Sequence, residues 1–194
     1  MKLAVVKYNA GNIQSVSYAL ERMKVDFEVT SEHEKIKAAD KVIFPGVGEA
    51  STTMKYLRDT KLDQLIKELR QPVLGICLGM QLLCRHSEEN NTDCLGVFDE
   101  AVKKFEASSK FKVPHMGWNS LRDTKDWFDK DLSGQYVYFV HSFYVPVNAN
   151  TVATTDYAAS FSAAMRKNNF YAVQFHPEKS ADAGEQVLKS FLRL

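Results

Sequence analysis

A cysteine between two glycines is the feature of this sequence most suited to covalent chemistry. Cys77 stands in the segment Gly75-Ile76-Cys77-Leu78-Gly79, after an apolar run and before a stretch with helical periodicity. Small residues here permit the sharp strand-to-helix turn that exposes a nucleophile in hydrolases. The N-terminus of the following helix stabilises a thiolate, and the N–H of Leu78 could hold an oxyanion. The alternative interpretation is a buried structural cysteine.

A histidine and a glutamate near the C-terminus could complete a catalytic triad with this cysteine. His176 and Glu178 follow the apolar run 171–173 and lie two residues apart, so both side chains would point the same way in an extended chain. A cysteine hydrolase needs a base that accepts and returns a proton, and a third group that orients the base. Taken alone, the pair would be a surface histidine beside a solvated carboxylate. Together with Cys77 it predicts a Cys–His–Glu triad.

A second pair of glycines, in the segment Pro45-Gly46-Val47-Gly48, ends another apolar run. Ligands of parallel sheets collect at the carboxyl ends of the strands. Glycines there let backbone N–H groups approach a substrate closely. The segment is therefore a candidate for a second oxyanion donor, and an ordinary turn between a strand and a helix is the other interpretation.

The elements that would position these residues alternate regularly in the first half of the chain. Apolar runs predict strands over 3–8, 27–30, 41–45 and 72–76. Apolar residues every three or four positions predict helices that begin near 12, 31, 50 and 61, and a helix over 78–86. Asn12 is a candidate cap of the first helix, and Ser31 with Glu34 has the form of a capping box. Such alternation is typical of βαβ units and a parallel sheet.

The second half of the chain has a different texture, because short strand-like runs follow one another from about residue 95. These runs cover 101–105, 111–113, 118–121, 136–140, 143–145, 152–157, 160–166 and 171–175. They predict an antiparallel section attached to the parallel sheet, followed by a helix over 183–194. The whole pattern predicts one α/β domain over 1–194, with a mostly parallel central sheet flanked by helices.

Composition and charge exclude several classes of function. The 194 residues are 45% hydrophobic and 25% charged, and 25 basic against 24 acidic residues give a net charge of +1. A charge near zero gives no reason to expect binding to nucleic acid or to a membrane surface. No apolar run approaches the ~18 residues of a membrane-spanning helix, and we expect no signal peptide.

Cysteine and histidine usage points to a reducing compartment and to chemistry without a metal. Three cysteines are a small and odd number for a disulfide framework, so we expect a cytoplasmic protein. The five histidines do not form a close ligand set with the cysteines. We therefore predict no metal site and no cofactor.

Together, the three motifs resemble those of the class I glutamine amidotransferases, in the same order and on the expected elements. The matching segments are 45–48, 75–81 and 175–178, and the resemblance covers nearly the whole chain. It implies a flavodoxin-like sheet. It also implies that Cys77 attacks the side-chain amide of glutamine, releases ammonia and forms a glutamyl thioester that water hydrolyses. In this scheme His176 acts as base and acid, and Glu178 orients it.

The resemblance also implies which residues hold the transition state and L-glutamine. Glu89 would be the partner of the substrate ammonium, although the neighbouring Glu88 leaves the register open. The implied oxyanion and substrate-binding residues are Gly46, Val47, Gly48, Leu78, Gln81, Glu89, His141, Ser142 and Phe143.

Further segments, 10–16, 114–119 and 138–144, narrow the resemblance to the subfamily of glutaminase subunits of imidazole glycerol phosphate synthases. This implies a heterodimer in which ammonia passes to a (β/α)8-barrel cyclase subunit. That subunit forms imidazole glycerol phosphate and an aminoimidazole carboxamide ribotide, a step of histidine biosynthesis. One departure is Lys7-Tyr8-Asn9, where the subfamily often has Asp-Tyr-Gly, beside a loop expected near the synthase.

Two other interpretations of the chain stay open. The chain could be the glutaminase of another synthase, such as the one that serves pyridoxal phosphate synthase, although the segments 10–16 and 114–119 argue against it. It could also be a non-catalytic regulatory module on the same fold. The intact set of Cys77, His176 and Glu178 argues against that.

Overall fold

The computed structural model describes residues 1–9 and 12–194. The strands of this part, numbered in chain order, are β1 (Leu3–Val6), β2 (Phe27–Thr30), β3 (Lys41–Gly46), β4 (Val73–Cys77), β5 (Cys84–Ser87), β6 (Thr92–Asp93), β7 (Phe98–Lys104), β8 (His115–Ser120), β9 (Tyr136–His141), β10 (Phe143–Tyr144), β11 (Thr151–Asp156), β12 (Ser160–Lys167) and β13 (Phe170–Val173). The α-helices are α1 (Ile13–Arg22), α2 (His33–Lys37), α3 (Ala50–Asp59), α4 (Leu62–Glu68), α5 (Leu78–Leu82) and α6 (Ala181–Leu192).

A seven-stranded sheet forms the centre of the fold, in the order β11-β12-β13-β4-β3-β1-β2. The five strands from β13 to β2 are parallel, and β12 and β11 extend the sheet with antiparallel pairing. The parallel register places Gly46 of β3 opposite Cys77 of β4, so these two candidate site residues meet at the carboxyl edge of the sheet. The predicted α/β fold with an antiparallel section is confirmed.

Helices cover both faces of this sheet, because its buried strands present apolar residues to both sides. On one face, Leu3 and Val5 of β1 belong to a core that also contains apolar side chains of α1 and α6. On the other face, Ala4 and Val6 pack with a second core formed by α2, α3, α4 and α5. The alternation of β1 residues between the two cores is what the period of two in a strand requires.

Two smaller sheets are present in the described residues in addition to the central sheet. One has the order β10-β7-β5-β6, and the other pairs β8 with β9 in antiparallel register. In the second pair His115 lies directly opposite His141. The short gap between β9 and β10 consists of Ser142 alone, so this segment joins the two small sheets.

Several local predictions are wrong. The helix predicted over 78–86 ends at Leu82, and 84–87 form strand β5, because this backbone pairs with β6 and β7. Residues 111–113 do not form a strand. The capping box is also absent at its predicted place: Glu32 is the N-cap of α2 and makes no side-chain cap bond, while Thr30 Oγ1 accepts a hydrogen bond from the Glu32 N–H.

Candidate active site

Cys77 occupies a sharp turn between the last residue of β4 and the start of α5. Its backbone has φ 53° and ψ −109°, a conformation that non-glycine residues rarely adopt. Strain of this kind concentrates at functional sites, where the surrounding structure holds it. Gly79 makes the turn sterically feasible, because a Cβ there would lie 2.1 Å from the Phe44 carbonyl oxygen of the neighbouring strand. The turn has the geometry of a nucleophile elbow.

The Cys77 side chain is nearly enclosed, with 6% of its surface exposed. Its Sγ lies 4.0 Å from the carbonyl oxygen of Val140 on β9. The side-chain amide of Gln174, itself fully buried, points Nε2 at this sulfur from 3.8 Å. This amide N–H is directed at the sulfur and limits the positions that the Cys77 side chain can take.

His176 and Glu178 form a buried pair on the segment that follows β13. His176 Nδ1 lies 2.7 Å from Glu178 Oε1, and both side chains are fully buried. A carboxylate only accepts hydrogen bonds, so Nδ1 carries the proton that is shared with Glu178. Within the described residues, His176 Nε2 is buried and has no hydrogen-bond partner. This nitrogen is therefore available for proton transfer.

The charges around His176 favour its protonated form. Burial would lower the pKa of His176, but the Cys77 thiolate and the Glu178 carboxylate outweigh burial and raise this pKa to about 10. An opposite charge close to a titratable group stabilises the charged form. At neutral pH His176 is thus held as an imidazolium, which can donate a proton to a leaving group.

Asn12 contacts two residues of the predicted triad, and its sequence pattern does not indicate this contact. It occupies the N-cap position of α1 but makes no side-chain cap bond. Its Nδ2 instead donates a hydrogen bond to Glu178 Oε1 and lies 3.2 Å from His176 Nδ1. The cap pattern therefore located the residue correctly and assigned it the wrong partner.

A cavity of about 320 Å³ opens beside Cys77 and His176. All of the residues implied as oxyanion or substrate contacts line it, except Gly46. The lining members of that set are Val47, Gly48, Leu78, Gln81, Glu89, His141, Ser142 and Phe143. Their grouping around one space brings together segments from β3, α5, the turn after β5 and the β9–β10 junction.

Gly46 lies in β3 below the cavity and has a packing role. A Cβ at this position would lie 2.6 Å from Tyr8 Oη and 2.9 Å from the Gly79 amide nitrogen. A side chain there would force β3 away from the Cys77 turn. Gly48, by contrast, borders the cavity with φ 115°, a conformation that favours glycine and turns its neighbouring peptide groups.

Glu88 and Glu89 differ in their relation to the cavity. Glu89 lines the cavity, and its Oε2 accepts a hydrogen bond from the Ala50 N–H at 2.8 Å. Glu88 Oε2 instead accepts from the Lys104 N–H at 2.7 Å and is not among the cavity residues. Burial raises the pKa of Glu89. The hydrogen bond from the Ala50 N–H lowers this pKa, and the nearby Glu49 charge raises it further.

Neither a metal cluster nor a membrane helix occurs in residues 1–9 and 12–194. No group of three or more His, Cys, Asp or Glu side chains is placed to hold a metal ion. None of the described helices has the length and apolar character needed to cross a bilayer.

Comparison with known proteins places this geometry in a family. Residues 4–194 match the family described as "Glutamine amidotransferase class-I". The chain belongs to the class I glutamine amidotransferase family. The resemblance inferred from the three motifs is thereby confirmed.

Curated relatives of this amidotransferase share its full length. A protein of Bacteroides fragilis named "Imidazole glycerol phosphate synthase subunit HisH" is 62% identical, with all of both chains covered. A protein of the same name from Idiomarina loihiensis is 45% identical and covers all of this chain and 98% of its own.

Solved structures show the same fold at low sequence identity. A crystal structure of a glutamine amidotransferase has a TM-score of 0.75 at 18% identity, covering 98% of this chain and 97% of its own. The structure of PurLQS from Thermotoga maritima has a TM-score of 0.70 at 17% identity, covering 99% and 97%.

Proposed function

We propose that this amidotransferase is a glutaminase that hydrolyses L-glutamine to glutamate and ammonia through Cys77, His176 and Glu178. The observation that carries the proposal is the position of the buried His176–Glu178 pair beside the strained Cys77 turn, at the wall of a single cavity. Covalent catalysis by cysteine requires a thiolate, a proton donor for the leaving group and an oriented base. The three side chains supply these.

Acylation begins with the Cys77 thiolate attacking the side-chain carbonyl carbon of glutamine. The carbonyl electrons move onto oxygen, where we expect N–H groups of Leu78 and of the 47–48 peptide, which border the cavity, to stabilise the charge. As the C–N bond breaks, protonated His176 donates its Nε2 proton to the departing nitrogen. Ammonia leaves, and a glutamyl thioester remains on Cys77.

Deacylation reverses the proton flow. His176, now neutral, accepts a proton from water through Nε2, and the hydroxide attacks the thioester carbonyl. The C–S bond breaks, glutamate departs, and the thiolate–imidazolium pair is restored. Glu178 keeps the proton of Nδ1 in place through both halves, so that Nε2 always faces the reacting atoms.

Substrate binding follows from the polar groups of the cavity. Glu89 is a carboxylate in the cavity wall and is the proposed partner of the α-ammonium group. Gln81 contributes an amide, and His141, Ser142 and Phe143 also line the cavity. A zwitterionic amino acid with an amide side chain matches this combination of a carboxylate and neutral polar groups.

The proposed partner is the (β/α)8-barrel cyclase subunit of imidazole glycerol phosphate synthase. The curated relatives are named as subunits of that enzyme. On the outer face of the β8–β9 sheet, Met116, Trp118 and Tyr136 are 63%, 52% and 61% exposed. Adjacent exposed apolar side chains mark surfaces that another protein covers. Strand β9 of this pair reaches the cavity through His141, so a partner here would lie close to the ammonia source.

We infer a cytoplasmic location and a role in histidine biosynthesis rather than in pyridoxal phosphate synthesis. Three free cysteines in the described residues are consistent with a reducing compartment.

Two measurements test the proposal. A glutamine-analogue electrophile should label Cys77 stoichiometrically and stop glutamate release. The chain, expressed together with a barrel-type cyclase, should co-purify with it as a heterodimer. Labelling at Cys84 or Cys94 with activity retained would contradict the triad, and failure to bind any cyclase would contradict the partner.

A further inference from the structure

A continuous chain of hydrogen bonds connects Asn119 on β8 with the amide of Gln81 in the cavity wall. Asn119 Nδ2 lies 3.3 Å from His115 Nε2, and His115 Nδ1 lies 3.0 Å from His141 Nε2. His141 Nδ1 lies 2.7 Å from the carbonyl oxygen of Phe143, which also accepts from Gln81 Nε2 at 2.9 Å. The mechanism above uses neither His115 nor Asn119.

The Phe143 carbonyl fixes the direction of the inner bonds. This oxygen only accepts, so His141 carries its proton on Nδ1. In a neutral imidazole the other nitrogen is then an acceptor, and His115 must donate to it from Nδ1. His115 Nε2 is therefore also an acceptor and needs a donor from outside the pair.

Asn119 provides that donor, and its own orientation is fixed. Its Nδ2 also donates to the carbonyl oxygen of Asp156 at 2.9 Å, and its Oδ1 accepts from the Ser120 N–H at 2.8 Å. Turning the amide over would lose all three bonds. Each bond in the chain thus has one allowed direction, which runs from Asn119 through His115 to His141.

The surroundings of the two rings keep them neutral. His115 is 3% and His141 6% exposed. His115 stacks between the rings of Tyr157 and Phe139, with centroids 4.0 and 4.9 Å away, and Phe105 lies 5.3 Å from His141. An added proton on either ring would place two donors face to face and find no acceptor in this aromatic setting.

The hydrogen-bond chain ends at the Gln81 amide, which borders the cavity. Both hydrogens of its Nε2 are used, one by the Phe143 carbonyl and one by Gln174 Oε1, each at 2.9 Å. The amide cannot turn over without losing both bonds. Gln81 Oε1 is consequently the amide atom left to bind a ligand, and it can only accept a hydrogen bond.

We propose that His115 and Asn119 are positioning residues for glutamine binding, acting through His141 and the Phe143 carbonyl to hold Gln81 with Oε1 available to an N–H group of the substrate. The inference rests on the proposed glutaminase function and deepens it. It also gives a reason for glutamine to bind better than glutamate when the amide N–H is the group recognised, since a carboxylate cannot donate to Oε1.

Kinetics of the complex with the cyclase subunit test this role. His115→Phe keeps an aromatic ring but removes both hydrogen bonds, and should raise the KM for glutamine about tenfold with a smaller change in kcat. His115→Asn can still donate to His141 and should recover most of that loss. Asn119→Ala should shift KM in the same direction by less.

A matched control separates positioning from packing. Phe105→Leu alters the same aromatic cluster without touching the hydrogen-bond chain. It should lower the melting temperature of the complex while leaving KM within about twofold of the parent value, the usual result of a change in packing alone. If His115→Phe keeps the parent KM, or if Phe105→Leu raises KM equally, the positioning role is refuted.

A second measurement needs no variant and remains informative if His115→Phe does not fold. Long-range ¹⁵N–¹H NMR of the parent complex at pH 7 should show His115 and His141 both neutral and both protonated on Nδ1. A different tautomer on either ring overturns the inference. Absence of glutamine hydrolysis in the parent complex would instead refute the proposed function itself, so the two failures are distinguishable.

Discussion

The side-chain amide of Asn12 donates a hydrogen bond to Glu178 Oε1 across a sequence separation of 166 residues. It joins the N-terminus of α1 to the residue that is proposed to orient the catalytic base. Glu178 Oε1 therefore accepts from two donors, Asn12 Nδ2 and His176 Nδ1, and the Asn12 bond limits the positions that the carboxylate can take.

Replacing Asn12 should reduce turnover without removing it. Asn12→Ala deletes one hydrogen bond to a charged group, a loss of roughly 1.5–3 kcal/mol in other proteins, and we expect kcat to fall about tenfold. Asn12→Asp should be worse, because a second carboxylate would repel Glu178. The measurement is steady-state glutamate release by the complex. Equal rates for the two variants would show that this contact does not determine the electrostatic environment of the Glu178 carboxylate.

Cys77→Ala should abolish glutamine hydrolysis and leave the fold intact. Only the thiolate forms the covalent intermediate, so no other side chain can replace it. Synthesis from added ammonia by the complex with the cyclase should continue, because the barrel supplies its own chemistry. Glutamine-dependent turnover in this variant would disprove the triad.

His176→Asn and Glu178→Gln should differ in severity. Removing the general acid–base should cost at least about two orders of magnitude in rate. Glu178→Gln keeps a neutral acceptor for the Nδ1 proton and should be milder. Rates measured on both variants at saturating glutamine decide the point. Equal losses would mean that the charge of Glu178 contributes as much as its orientation of the ring.

The His115–His141 pair should make the protein less stable in mild acid. Burial lowers the pKa of His115 to about 4. Burial also lowers the pKa of His141 to about 3; the hydrogen bond to the Phe143 carbonyl raises this pKa, whereas the electrostatic effects of His115 and His176 lower it further. In the unfolded chain both titrate near 6.5. Between these values the unfolded state binds more protons, so the free energy of unfolding decreases as pH falls below about 6.5.

Urea unfolding between pH 7 and pH 4.5 measures this loss. Carboxylates also titrate in that range, so the informative quantity is the difference between the parent protein and His115→Phe. The variant lacks one of the two groups, and its stability should depend less on pH across this window, although it is less stable at pH 7. Identical pH dependence would mean that His115 is protonated in the folded state.

Motifs with rigid local requirements could be predicted from the sequence, and contacts between distant segments could not. Gly75, Cys77 and Gly79 indicate a tight turn because few other residues tolerate it, and the turn is present. The alternation of apolar runs likewise predicted the parallel strands, since burial on both faces leaves a clear pattern. Strand β5 was missed because its short segment depends on pairing with β6 and β7 rather than on its own periodicity.

Contacts between side chains that are distant in the sequence produce no such local pattern. Asn12 satisfied a local capping rule, yet its partner lies on a different segment. His115 could not be interpreted from the sequence, because its role depends on the cross-strand register with His141. Trp127 and Phe128 are buried in a core although they belong to the charge-rich segment 122–131.

The oxyanion segment 46–48 could be regulated by the partner subunit. The N–H groups of the 46–48 segment must point at the developing charge, and an N–H turned away forfeits roughly 3 kcal/mol, or about a hundredfold in rate. Glycines on both sides of Val47 reduce the cost of turning this peptide over, and Gly48 borders the cavity at a positive φ. A partner that binds the productive orientation better shifts the population toward it.

We therefore expect slow glutamine hydrolysis by the chain alone and faster hydrolysis with the cyclase and its nucleotide ligand bound. Glutamate release should be compared for the subunit alone, with cyclase, and with cyclase plus ligand or a product analogue. The same rate in all three conditions would show a fixed oxyanion site and a constitutively active glutaminase.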